Sequence, residues 1–148
     1  MGKADLYCTL QKADSANFYL TKCLKNLEAR KSDFSKANGL NLKACLTGKL
    51  GRLDAALQYL DSSRVAQEPG SNYFSVQGFI LLEKHNYEEA LSSLTRSIEM
   101  QPDNPEAYLY RGLTYHRLNK AEAGCNDLKM SAKQSSYQAN MSLRALCK

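Results

Sequence analysis

The sequence is short of the residues that break regular structure: three prolines and eight glycines in 148 residues. With 43% apolar residues available for a core, such a chain is not expected to be disordered. It has no run of about 18 apolar residues, so no membrane-spanning helix is expected. No basic start followed by an apolar stretch occurs, so no signal peptide is visible. Leu6 stands where a myristoylation signal wants Ser or Thr. Histidine is scarce as well, with only His85 and His116. His116 has Arg117 beside it and no acidic residue three or four positions away, so it has no local catalytic partner. Gly-rich phosphate loops, a G-x-S-x-G elbow and an H-E-x-x-H pair are all missing. These absences leave no enzyme signature, and neither a catalytic residue nor a cofactor is expected.

What is present is ordered in blocks. The length fits one domain over residues 1–148. The net charge of +5 divides into +6 over residues 1–52, −5 over 53–104 and +4 over 105–148. Such an array can steer a charged partner, or it can be the solvated outer faces of helices. Lys and Arg are spread along most of the chain and do not cluster on one face with aromatics, so nucleic acid is not an expected partner. The five cysteines, Cys8, Cys23, Cys45, Cys125 and Cys147, include no C-x-x-C pair. On that ground no metal site is expected.

The chain is organised around residues 72–102. Phe74, Gly78, Leu81, Ala90, Leu94 and Pro102 place small residues where two helices must touch and large apolar ones a turn away. A step of about 34 residues each way finds the same pattern. Phe74 maps to Leu40 and Tyr108, Gly78 to Ala44 and Gly112, Ala90 to Ala56 and Gly124, and Leu94 to Leu60 and Leu128. This pattern resembles the tetratricopeptide repeat (TPR). The resemblance implies an all-α, helix-turn-helix solenoid that winds as a right-handed superhelix, with about nine helices and no strands. The repeats fall at 37–70, 71–104 and 105–138.

Helices are expected near 37–49, 53–66, 71–84, 87–100, 105–118 and 121–134. Asp103 or Asn104 is placed to cap the helix that Pro105 begins. Residues 1–36 fit the frame poorly and read as a degenerate hairpin, with helices near 4–12 and 15–30. Residues 137–147 read as an amphipathic helix that caps the stack. Gly48 and Gly51 flank one turn, where glycine takes a positive φ without a Cβ penalty.

In this frame Cys23–Cys45 and Cys125–Cys147 each join the twenty-first position of one unit to the ninth of the next. They are either buried apolar thiols or two disulfides stapling the ends of the stack. Bridged pairs would place the chain in an oxidising compartment, the bacterial cell envelope or periplasm, and free cysteines would place it in the cytoplasm. The stretch from Gly124 to Lys129 and from Ala145 to Lys148 also resembles the final repeat of some bacterial TPR proteins of the envelope.

By the same resemblance, fixed positions of each first helix face a concave groove. These are Asn41 in the first unit, Asn72, Val76, Phe79, Leu82 and Glu83 in the second, and Glu106, Leu109, Tyr110, Leu113, His116 and Arg117 in the third. Phe79, Leu82, Leu109, Tyr110 and Leu113 would form an apolar strip suited to a peptide or an amphipathic helix. The implied function is non-enzymatic protein binding. The alternative is a structural or oligomerising scaffold whose groove is filled by its own chain or by another copy. Chaperone co-factors of this family clamp a carboxylate with Lys, Asn and Arg. The matching positions here are Asn41, Cys45, Val76, Glu106 and Tyr110, so that clamp is not expected.

Overall fold

The structure is a computed structural model that describes residues 36–134 and 136–147, together with Phe18 and Lys22. Seven helices and no strand occur among the described residues. They are α1 (Lys36–Lys49), α2 (Leu53–Ala66), α3 (Ser71–Glu83), α4 (Tyr87–Met100), α5 (Pro105–Arg117), α6 (Ala121–Lys133) and α7 (Tyr137–Leu146). Each begins and ends within a residue or so of the bounds that the apolar spacing predicts. The expected N-terminal hairpin, with helices near 4–12 and 15–30, otherwise lies outside the described residues. The chain divides into two compact units, Met1–Gln67 and Glu68–Lys148.

In the first unit α1 packs against α2. In the second, α3 packs on α4 and α5 on α6. Helix α5 also contacts α3 and α4, and α7 lies against α6 and α5. The three hairpins turn in one way. Gly51, His85 and Asn119 stand at equivalent places with φ of 77°, 63° and 58°. The next N–H then reaches back over the helix end: Arg52 N to Thr47 O at 3.1 Å, Asn86 N to Leu81 O at 2.9 Å, and Lys120 N to Tyr115 O at 2.9 Å. This six-to-one bond satisfies a terminal carbonyl, and it requires the left-handed residue. Glycine meets the requirement at no steric cost, whereas His85 and Asn119 carry a Cβ into it.

The small-residue columns are where the helices cross. Ala44, Ala56, Gly78, Ala90, Gly112 and Gly124 are all buried. A Cβ at Gly78 would collide with the Leu94 side chain. One at Gly112 would stand 2.9 Å from both Gly124 O and Leu128 Cγ. Interiors packed to crystal density have no room for that extra carbon. Leu60, Leu94 and Leu128, each fully buried against this contact, contribute roughly 1.5–3 kcal/mol apiece by removal from water.

A third column escaped the sequence reading. Ser63, Ser97 and Ser131 are buried on the second helices, and each donates a hydrogen bond to the first residues of its own hairpin. Ser63 Oγ donates to Ala37 O at 3.1 Å, Ser97 Oγ to Ser71 O at 2.9 Å and Ser131 Oγ to Pro105 O at 2.7 Å. The bond satisfies a hydroxyl that would be costly to bury alone. Asn104, capping α5 by accepting from Ala107 N at 3.3 Å, extends this pattern: its Nδ2 donates to Ser71 Oγ and to Ser97 Oγ. Ser136 caps α7 in the same manner through Ala139 N.

Candidate functional site

The second unit brings five of the expected groove residues around one cavity of about 280 Å³. Leu82, Glu83, Leu113, His116 and Arg117 line it, joined by His85 and Leu146. Leu82 and Glu83 come from the last turn of α3, and Leu113, His116 and Arg117 from the last turns of α5. The left-handed turn after α3 carries His85 into the rim, where its Nδ1 lies 3.0 Å from the Tyr87 hydroxyl. Leu146 arrives from the end of α7. Neither His85 nor Leu146 is among the residues that the resemblance places in the groove. Their share in the cavity depends on where α7 docks and on the hand of the turn.

The expected groove residues differ in burial. Phe79, Leu82, Leu109 and Tyr110 are only 3–7% exposed. The rings of Phe79 and Tyr110 pack against each other with centroids 4.9 Å apart. Val76, Leu113 and His116 are half-buried, and Asn72, Glu83, Glu106 and Arg117 are exposed. In the first unit Asn41 is 8% exposed, and its Oδ1 finds no hydrogen-bond partner among the described residues. Such an acceptor is uncommon in a folded chain.

Beside the cavity lies a cluster in which His116 joins a cysteine pair expected from sequence, a neighbour that the sequence reading missed. Cys125 on α6 and Cys147 at the C-terminal end of α7 are bonded as a disulfide, with Cα atoms 5.7 Å apart. Of the two pairings considered from sequence, this is the one that falls among described residues; Cys23, needed for the other, does not. His116 Nε2 stands 3.6 Å from Cys125 Sγ and 3.9 Å from Cys147 Sγ. Room for the imidazole comes from Gly124, where a Cβ would stand 2.8 Å from His116 Cδ2. The signal was present in the sequence as a glycine in an otherwise alanine column. What it signified was not readable without the fold.

Away from the cavity, Arg111 of α5 makes a two-pronged ion pair with α6. Its Nε donates to Asp127 Oδ2 at 2.7 Å and one terminal nitrogen to Oδ1 at 2.9 Å, while the other donates to Thr95 Oγ1 at 3.3 Å. The guanidinium lies within 6 Å of the Tyr108 and Tyr115 rings. The hydrogen bond to Asp127 raises the Arg111 pKa above its ordinary value, against the opposing effect of burial. The pair therefore buttresses the helix that carries Leu113, His116 and Arg117.

A family model described as a TPR repeat matches residues 78–119. Among solved structures, the TPR domain of Arabidopsis OM64 is similar, with a TM-score of 0.65 at 16% identity over 75% of this chain and 93% of that one. The second TPR domain of human RPAP3, solved in complex with an HSP70 peptide, gives 0.63 at 19% identity over 76% and 96%. YrrB, described as a TPR protein with an unusual peptide-binding site, gives 0.61 at 18% identity over 97% and 71%. At these identities the likeness is one of fold. No curated protein matches the chain. Among the described residues no helix is long and apolar enough to cross a membrane.

Proposed function

We propose that this TPR protein, an interaction module by fold, is non-enzymatic and holds a peptide or helix of a partner protein against the ends of α3 and α5. The observation that carries this reading is the cavity in which Leu82, Glu83, Leu113, His116 and Arg117 converge. It offers an apolar floor with charged edges, the combination that anchors one side chain of a ligand and orients its polar ends. Two of the similar structures are described with a bound peptide or a peptide-binding site, which supports the same use here.

A second reading has its own support. Phe79, Leu82, Leu109 and Tyr110 are already covered in a single copy of the chain, which favours a groove filled by the chain itself. Selection of binders from a displayed peptide library, followed by titration of the winning peptide, tests the first reading. Leu113→Glu and Arg117→Glu should each weaken binding at least tenfold, or about 1.4 kcal/mol, with helicity unchanged. Binding that survives both changes would place the partner surface elsewhere. A library that yields no binder, with the protein monomeric by light scattering, would favour the self-filled scaffold.

A further inference from the structure

We propose that His116, Cys125 and Cys147 form a redox-gated metal site, which binds a zinc-like cation when the disulfide is opened. The three donor atoms lie within 4.8 Å of one another. Two thiolates and one imidazole nitrogen are the donor set that zinc favours, with a fourth position left for water or another donor. Bond lengths of about 2.3 Å to sulfur and about 2.0 Å to nitrogen put tetrahedral ligands N and S about 3.5 Å apart. His116 Nε2 already stands 3.6 Å and 3.9 Å from the two sulfurs. Only the sulfurs must separate, and Cys147 lies just past the last turn of α7 rather than within it.

The surroundings fit this use. The matching residues in hairpin α3–α4 are Leu82 and Ala90, where hairpin α5–α6 has His116 and Gly124. The exchange of alanine for glycine makes the space that the imidazole occupies. His116 also borders the open cavity, which gives an ion and its water a path in. Two thiolates neutralise a divalent cation, so a half-buried complex carries no net charge.

The chemistry balances. A dithiol reductant passes two electrons and two protons to the Cys125–Cys147 bond and becomes a disulfide itself, leaving two cysteine thiols. Binding of the cation releases those two protons as the thiols become thiolate ligands. An oxidising compartment keeps the covalent staple and a reducing one replaces it with the metal. The disulfide ties α6 to the end of α7, and the metal would tie α5 to both through His116.

The test uses the full chain with Cys8, Cys23 and Cys45 changed to Ser, reduced by a phosphine, and cobalt(II) as a spectroscopic probe displaced by zinc(II). One ion per chain is expected, with thiolate-to-cobalt charge-transfer bands, and none in the oxidised protein. His116→Ala should weaken binding at least roughly tenfold and Cys147→Ser more. Absence of stoichiometric uptake by the reduced protein would overturn the proposal, as would equal affinity in a folded His116→Ala variant. Should that variant not fold, zinc-induced displacement of the His116 ¹⁵Nε2 resonance in the unsubstituted histidine protein decides. A shift supports ligation and an unmoved resonance refutes it.

Discussion

In hairpin α3–α4, Ser93 Oγ donates to Gln77 Oε1 at 3.1 Å and closes the contact between the two helices with one neutral hydrogen bond. In hairpin α5–α6 the matched residues are Arg111 and Asp127, which close it with two charged bonds and an additional donation to Thr95. The same slot in α1–α2 holds Lys43 over the Tyr59 ring at 5.9 Å. Three chemistries thus occupy one geometry. The slot takes one long side chain from the first helix, Lys43, Gln77 or Arg111, and its partner on the second helix varies in size and chemistry. The charged version stands on α5, which supplies three of the cavity's residues, Leu113, His116 and Arg117.

The largest effect expected from breaking this comparison is at Asp127. Asp127→Ala leaves the Arg111 cation, with its side chain 17% exposed, beside no carboxylate, and should cost on the order of 3 kcal/mol in urea unfolding. Gln77→Ala removes a neutral bond and should cost about 1 kcal/mol. The double change Arg111→Gln with Asp127→Ser transplants the neutral pair and should recover much of the loss. A double variant as unstable as Asp127→Ala would show that the two slots are not equivalent.

A second difference lies at the crossing. Gly124→Ala restores the residue found at Ala56 and Ala90, yet its Cβ would meet His116 Cδ2 and Gly112 O, both at 2.8 Å. A loss of roughly 1–3 kcal/mol in chemical denaturation is expected. Adding His116→Leu, the residue matched at position 82, should return part of it. Additive losses in the double variant would mean that the ring and the glycine are not coupled.

Ser97 and Ser131 separate the hairpins on a smaller scale. Ser97 bonds Ser71 and Asn104 as well as a carbonyl, whereas Ser131 bonds Pro105 O. Proline at the start of α5 supplies a fixed φ but no hydroxyl. Ser97→Ala should therefore cost about 2 kcal/mol, since it removes several hydrogen bonds of one network, and Ser131→Ala, which removes one, about 1 kcal/mol. Equal losses would remove Asn104 from the account. The smallest effect is at the turns: His85→Gly and Asn119→Gly should each raise stability by up to about 1 kcal/mol by relieving a Cβ at positive φ. Thermal melts of the two variants check it.

Much of this arrangement was legible in the sequence. The helices, the small residues at their crossings, Asn104 before Pro105, and Cys125 with Cys147 as one candidate pair all follow from spacing and from the resemblance. These features repeat because the two helices of each hairpin bury the same faces against each other, so one period states the same packing three times. The apolar strip was legible only as a set of residues. That Phe79, Leu82, Leu109 and Tyr110 are covered while Leu113 stays half-open depends on what packs over them, and no periodicity encodes it.

The sequence by itself determined the helices and the residue classes at their contacts, because helical period and close packing act over three or four positions and recur. Tertiary structure alone decided the neighbours of His116. Its imidazole reaches sulfurs nine and 31 residues away because α6 crosses α5 at a residue without a Cβ and α7 folds back over both. A contact between three elements depends on their docking, and side-chain type fixes only what chemistry can happen once they have docked.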